Sequence, residues 1–349
     1  ASTGGQMMPP IMGAAAFIMA DVIGVSYLTI AKAALIPSVL YYLTLLAIIH
    51  LEAVSKNMGT LPPELVPSAA SVLRRLYYLF PLVFLITILL MGRSVIACAY
   101  YGTVCIVILS MIRSETRFTF KRLCGALELS AKNAMMVSSC CACAGIIIGV
   151  LNLTGTGLKF ASGIIALSGG ILPIALILTM GSSLILGMGL PTAAAYLICA
   201  AVIVPALTGL GVPALTGHLF IFYFACLSAI TPPVALAAFT AASLGKTKPM
   251  GVALTAVRLG IVAFIVPFMF VYAPSLLWQG SLPEILGTLA TSLCGVFFLG
   301  SALQGAFRDR VLNMGQRGLF LLGSLALIQP GLVTDLIGVG LVACALLWQ

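Results

Sequence analysis

Charge is what this sequence has least of. Lys, Arg, Asp and Glu make up 7% of its 349 residues, against about 25% in an ordinary soluble domain. Only eight residues are acidic, and between Lys159 and Lys246 there is no residue of either charge. That scarcity excludes a soluble globular domain. It also leaves no paired carboxylates for acid and base work, and no His or Asp partner that would make Ser182-Ser183 a nucleophile. The phosphate-binding loop Gly-x-x-x-x-Gly-Lys-Ser/Thr is absent too, so energy has to come from an ion gradient or a partner chain. The net charge of +9 does not point to nucleic acid, because the basic residues fall in short connections and form no patch interleaved with aromatics. Most of the ten cysteines lie inside apolar stretches, and the one cluster, at 140–143, has no His, Asp or Glu nearby. Cys140-Cys141-Ala142-Cys143 therefore reads as small-residue helix packing and not as a metal cluster.

What is there is apolar. The chain is 62% hydrophobic with mean hydropathy +1.21, which makes it an all-α polytopic membrane protein. Apolar stretches lie at 7–24, 37–54, 76–91, 94–111, 134–153, 171–207, 213–244, 252–271 and 286–303. A final short pair covers 319–327 and 333–347. Residues 26–35, with Lys32, and the Gly-rich 154–170 read as interfacial. The basic connection 113–132 belongs in the cytoplasm by the positive-inside rule. Then 56–75 and 308–317 are also inside and Arg93 is outside. Lys246 and Lys248 are inside if 171–207 enters and leaves on one side. The chain divides at 1–54, 55–153, 154–280 and 281–349: the end of a first repeat, connecting helices, a second repeat, and additional C-terminal helices.

Residues 180–211 organise the rest. Two apolar arms of about 17 residues, at the short edge of spanning length, flank the tip Gly187-Met188-Gly189-Leu190-Pro191-Thr192. Gly189 and Pro191 interrupt any helix through it. A second interruption follows at Ser228-Ala229-Ile230-Thr231-Pro232-Pro233. Its Pro-Pro-Val234 and Ala237-Ala238-Phe239 repeat Pro9-Pro10-Ile11 and Ala15-Ala16-Phe17 with one residue of slip. By the charge topology the two copies cross in opposite directions. This is an inverted repeat with broken helices and a re-entrant hairpin, the arrangement that marks the binding site of a secondary transporter.

Residues 2–17, starting Ser2-Thr3-Gly4-Gly5-Gln6, closely resemble the large permease subunit of TRAP transporters, the tripartite ATP-independent periplasmic carriers. Gly187–Tyr196 and Thr231-Pro232-Pro233-Val234-Ala235 match its second half. The form is that of fused permeases served by TAXI-type binding proteins, and the resemblance covers about 1–280. It implies an elevator-type carrier in a bacterial or archaeal cytoplasmic membrane. It also implies sodium-driven uptake of a small organic acid handed over by a periplasmic binding protein, with no cofactor beyond the sodium ion. Sodium sites in the family lie at hairpin tips and broken helices. Carried over, these are Gly187, Gly189, Pro191 and Thr192 for the hairpin, Ser228, Thr231 and Pro232 for the second break, and Ser2, Thr3, Gly4, Gln6 and Pro9 for the first. The family pattern implies small-subunit helices and a first hairpin upstream of Ala1, holding half of the site.

The physics of these residues agrees. Half-helix C-terminal ends offer carbonyl oxygens, and Thr and Ser add hydroxyls. The half-helix N-terminus at Thr192 favours a carboxylate. With no acid in either interruption, a proton relay is disfavoured. His218 reads as a buried neutral side chain bonded to a backbone carbonyl. The alternatives are a proton-coupled carrier or a channel, though no filter-like sequence is visible.

Overall fold

A computed structural model describes residues 2–56, 59, 62, 64, 66–112, 116–307, 310–329 and 331–348, with Ser2, Ser55, Arg310, Val311 and Leu332 described by backbone alone. The basic residues Arg113 and Arg308 fall outside this set. The described chain is helical apart from one two-residue β ladder. Six of its helices are long and apolar enough to cross a bilayer, so it is a polytopic membrane protein. In lipid the backbone must satisfy its own hydrogen bonds, and this dictates the helices.

A 3₁₀ turn at Ser2–Gln6 leads through Pro9-Pro10 into α1 (Ala14–Ile23) and α2 (Tyr27–Ser55). Then come α3 (Ala69–Leu73), α4 (Phe80–Leu90), α5 (Val95–Ser110) and α6 (Phe120–Thr154). α7 (Thr156–Ser168) precedes the hairpin of α8 (Leu172–Gly187) and α9 (Thr192–Gly209). α10 (Ala214–Leu227) and α11 (Leu236–Leu244) flank the second interruption. α12 (Pro249–Leu259), α13 (Ile261–Tyr272), α14 (Leu282–Gln304), α15 (Met314–Ile328) and α16 (Leu332–Leu347) complete the chain. The ladder pairs β1 (Ala306–Phe307) with β2 (Arg310–Val311).

Two compact units emerge. The smaller holds Ser26–Leu28 and Gly59–Ser139. Within it α4 and α5 form a hairpin turning at Gly92, whose φ of +73° suits glycine. Ser94 caps α5 by accepting from the Ala97 amide. The larger unit holds Ala1–Val25, Thr29–Met58 and Cys140–Gln349, and it contains every element of the site. At its C-terminal end α15 packs against both α14 and α16. Phe298 stacks on Phe320 with ring centroids 5.3 Å apart, and Gly323 and Gly338 let α15 and α16 touch backbone to backbone.

Two expectations need correction, for 26–35 and for the start of the helix before 134, and the expected interfacial stretch 154–170 gains a definite form. Residues 26–35 are not a separate interfacial piece, because α2 runs unbroken with Pro37 inside it. Pro37 deletes one backbone donor, whereas ending the helix in apolar surroundings would orphan several. The region 154–170 is helical and packed: Gly157, Ala161, Ile164 and Ser168 form a buried stripe at helical spacing, and Ile165 lies against Gly209 of α9. Helix α6 starts at Phe120, well before residue 134, and carries Lys121, Arg122 and Lys132 within it. Lys132 pairs with Glu128 one turn back at 2.6 Å.

The repeat is visible in the backbone. After each Pro-Pro pair a non-glycine residue takes positive φ, Met12 at 50° and Ala235 at 37°. Each donates its amide four residues back at 3.2 Å, Met12 to Met8 and Ala235 to Thr231. Each loop is then closed by a longer bond, Gly13 to Gln6 at 2.8 Å and Ala237 to Ala229 at 2.9 Å. The direction of the copies follows from two contacts. Near the start of α2, Lys32 sits 5.5 Å over the ring of Trp278, just beyond the end of α13. Near the end of α2, Glu52 pairs with Arg258, just before α13 begins. Helices α2 and α13, which follow the two breaks, are therefore antiparallel, as an inverted repeat requires.

Ser38 ties the first break to this frame. It is fully buried, and its hydroxyl donates to the Met7 carbonyl at 2.7 Å. Ser38→Ala leaves that carbonyl without its side-chain donor, at a cost of about 1–3 kcal/mol. The thermal unfolding midpoint of the purified protein should fall by a few degrees. An unchanged midpoint would show that this bond does not anchor the break.

Candidate functional site

The site is built where the hairpin tip meets both interruptions. Helix α10 is only 14 residues long and carries the chain about 21 Å from Ala214, well short of the roughly 30 Å apolar thickness of a bilayer. Its end, Ser228, is where the hairpin arrives. The Ser228 hydroxyl donates to the Gly187 carbonyl at 3.1 Å, and also to the Ala225 carbonyl of its own helix at 2.9 Å. The tip is thus held at the end of α10, at the level of the break. A glycine is required at 187 for space: a Cβ there would stand 2.8 Å from the Ser228 Oγ and 3.0 Å from its Cβ.

The other side of the tip touches the first break. Thr192, the first residue of α9, donates its hydroxyl to the Gln6 side-chain oxygen at 2.7 Å. This bond joins residues 186 positions apart. The Ser2–Gln6 turn itself packs against α10, and α1 packs against α9 and α10. Ser38, besides holding Met7, lies 3.4 Å from the Tyr223 hydroxyl of α10. The two breaks therefore lie side by side, with the tip closing over both. Every oxygen named so far is uncharged, and no Asp, Glu, Lys or Arg occurs within the hairpin, α10 or α11.

Such a meeting of half-helices and hairpin belongs to secondary transporters. The family model of the tripartite ATP-independent periplasmic transporter, DctM component, matches residues 1–285. The chain belongs to this family. No curated protein and no solved structure matches it. As a DctM component it is the large permease subunit of a TRAP transporter, a multi-pass protein of the inner membrane. The family is one of transporters and not of enzymes, and it works with a periplasmic substrate-binding protein.

Within this DctM chain the expected residues divide as follows. Gly187 pairs with Ser228, and Thr192 with Gln6. Gly189 turns the tip at φ +75° and faces the Val234 side chain. Pro191 stands at the N-cap of α9 with no side-chain cap bond. Thr231 spends its proton on the Leu227 carbonyl at 2.8 Å, which leaves its lone pairs available. Pro9 and Pro232 are half-buried in their breaks. Gly4 is buried, with Tyr41 of α2 filling the space a side chain would need. Thr3 is buried too and lines a cleft of about 630 Å³ with Tyr41, Ile230 and Lys248. The side chain of Ser2 lies outside the described residues.

Two participants did not stand out in the sequence. Ser38 and Tyr223 link the breaks, and the only hint was a lone Ser inside an apolar helix. His218 is buried, but its partner is not a carbonyl. Its Nδ1 lies 2.7 Å from the Tyr196 hydroxyl of α9. Cys140 packs against a small apolar cluster of Ala144, Ala194 and Ile198.

Proposed function

We propose that this permease couples the uptake of a small organic acid to sodium, taking its substrate from a TAXI-type periplasmic binding protein and moving it elevator fashion. The observation that carries the sodium reading is that neutral oxygens of three segments meet in pairs on the hairpin tip, the Gly187 carbonyl with the Ser228 hydroxyl and the Thr192 hydroxyl with the Gln6 amide oxygen. Unwound backbone and half-helix ends of this kind suit a hard monovalent cation. The donor set has no carboxylate that would favour a divalent ion or carry a proton. The free amides at the start of α9 have no side-chain cap competing for them, and with the helix dipole they suit a carboxylate. The TAXI assignment and the fused form rest on the motif resemblance, together with the helices α14–α16 that extend past residue 285.

Charge supplies the coupling. A cation among neutral oxygens in a low-dielectric site remains an uncompensated charge, and so does a bound carboxylate alone. Bound together they neutralise each other, so each raises the affinity for the other by the same factor. Only the pair, or neither, crosses cheaply.

Sodium binding is measurable without knowing the substrate. Purified permease should gain thermal stability with rising sodium at constant ionic strength, by about 2.7 kcal/mol at a hundredfold excess over the dissociation constant. Potassium should do nothing comparable. Equal stabilisation by both ions would remove sodium from the site.

A further inference from the structure

The hairpin arm α9 begins with nothing that fixes its rotation. Its N-cap, Pro191, makes no side-chain bond, and its first turn is Thr192 followed by Ala193, Ala194 and Ala195. Alanines pack but do not direct. Yet Thr192 has to face Gln6, and a rotation of one residue, about 100°, would carry its hydroxyl away. The next side chain on the face of Thr192 is Tyr196, one turn on. Tyr196 is fully buried, and its hydroxyl lies 2.7 Å from Nδ1 of His218 on α10. His218 is the sole ionisable side chain other than Tyr and Cys between Lys159 and Lys246. Between α9 and α10 the surrounding contacts are apolar: the Tyr196 ring meets Phe222 edge-on at 6.3 Å, and Gly217 packs against Leu207 and Val204; against α8, the Cys199 thiol of α9 donates weakly to the Ser183 carbonyl at 3.7 Å. Apolar packing between two helices tolerates small slides and rotations, while one directional bond between buried groups selects a single register.

We infer that the Tyr196–His218 hydrogen bond is the rotational pin of the hairpin arm, a pair of positioning residues that aims the Thr192 hydroxyl at Gln6 and seats the tip on Ser228. Neither residue touches the ion. Their role is to hold the groups that do, and it deepens the sodium reading without depending on it for its test.

The register is read directly by disulfide trapping. Thr192→Cys with Gln6→Cys places one thiol on each side of the cross-repeat contact, within reach of each other after a small approach of the two segments. Oxidation by copper phenanthroline, followed by peptide mass mapping, reports how often they meet. The mapping tells the new disulfide from any made by the native cysteines. The pair should cross-link readily with Tyr196 and His218 intact. Tyr196→Phe, which keeps the ring, should slow cross-linking several-fold, and His218→Leu should do the same. The two together should be no worse than either alone, since they break one bond. His218→Asn, which returns an acceptor near the Nδ1 position, should restore most of the rate. Cross-linking that is indifferent to Tyr196→Phe overturns the pin.

A second arm uses the otherwise unaltered chain and sodium-dependent thermal stabilisation. Tyr196→Phe should raise the sodium dissociation constant about three- to tenfold, so that about three to ten times more sodium is needed to reach the same sodium-dependent stabilisation. A loss of stability without sodium, with the sodium-dependent increment unchanged, would make the bond merely structural and overturn the inference. If the unaltered chain ignores sodium, the sodium reading falls, and the cross-linking arm alone decides the pin.

Discussion

Gly187→Val should abolish sodium-dependent stabilisation, and Gly187→Ala should weaken sodium affinity by roughly 5- to 150-fold. Two effects oppose each other at this position. Glycine inside a helix costs about 1 kcal/mol relative to alanine, so α8 by itself should gain from the change. Against this, the added Cβ would lie 2.8 Å from the Ser228 Oγ and 3.0 Å from its Cβ. The hydroxyl can rotate aside, but the Cβ is fixed to the end of α10 and cannot. Overpacking of this kind costs about 1–3 kcal/mol, or about a factor of 5 to 150 in affinity, and it outweighs the helix gain. The tip must lift away from the break, taking the Gly187 carbonyl with it. Gly181 is the control. It lies in the same helix, and a Cβ there would meet nothing within 4 Å, so Gly181→Ala should leave sodium binding alone and raise stability slightly. A rescue separates packing from chemistry. Gly187→Ala with Ser228→Gly moves the crowding carbon from one position to the other and should recover the melting temperature in the absence of sodium, while sodium affinity stays low because the hydroxyl is gone. Full recovery of sodium affinity in the exchanged pair would mean that Ser228 serves packing alone.

The hairpin tip and the second break were legible because Gly and Pro punctuate helices locally, and a charge-free stretch of this length fixes the solvent as lipid. The inverted repeat was legible from one motif and the loop charges. The continuity of α2 through Pro37 was not, since the rule that proline ends helices is calibrated in water, where freed carbonyls find new partners. The packed side of α7 was present in the sequence as a small-residue stripe at helical spacing, but its glycine content hid the helix that carries it. The pairs Gln6 with Thr192, Gly187 with Ser228, and Tyr196 with His218 join different segments. Local pattern assigns each residue a type of work. Which two meet is set by how the repeats cross, and a single chain read in order carries no signal for that.

Gln6 offers the test with the most to lose. Its side-chain oxygen and the Thr192 hydroxyl stand 2.7 Å apart, one from each repeat, and both are neutral. Thr192→Val keeps the shape and removes the hydroxyl. Losing one ligand-grade contact, about 1–2 kcal/mol, should raise the half-maximal sodium concentration roughly tenfold. Thr240→Val makes the same change on an exposed face of α11, where the hydroxyl only returns to the Leu236 carbonyl at 2.8 Å, and it should change little. Gln6→Glu moves the other way. A contact with a charged group is worth about 1 kcal/mol or more beyond a neutral one, so sodium should bind at least about fivefold tighter at pH 8. Tighter binding should nonetheless transport worse. The new carboxylate neutralises the ion within the protein, so sodium no longer needs the substrate's negative charge, and the carboxylate also repels that substrate. In vesicles with a sodium gradient and a panel of radiolabelled organic acids supplied with the binding protein, Gln6→Glu should cut net uptake severely, with sodium saturating at lower concentration than in the unaltered permease. A variant that binds sodium more tightly and still accumulates the acid at the normal rate would show that charge neutrality between ion and substrate is not what couples them. A variant with unchanged sodium affinity, alongside an inert Thr192→Val, would place the ion elsewhere than between the tip and the first break.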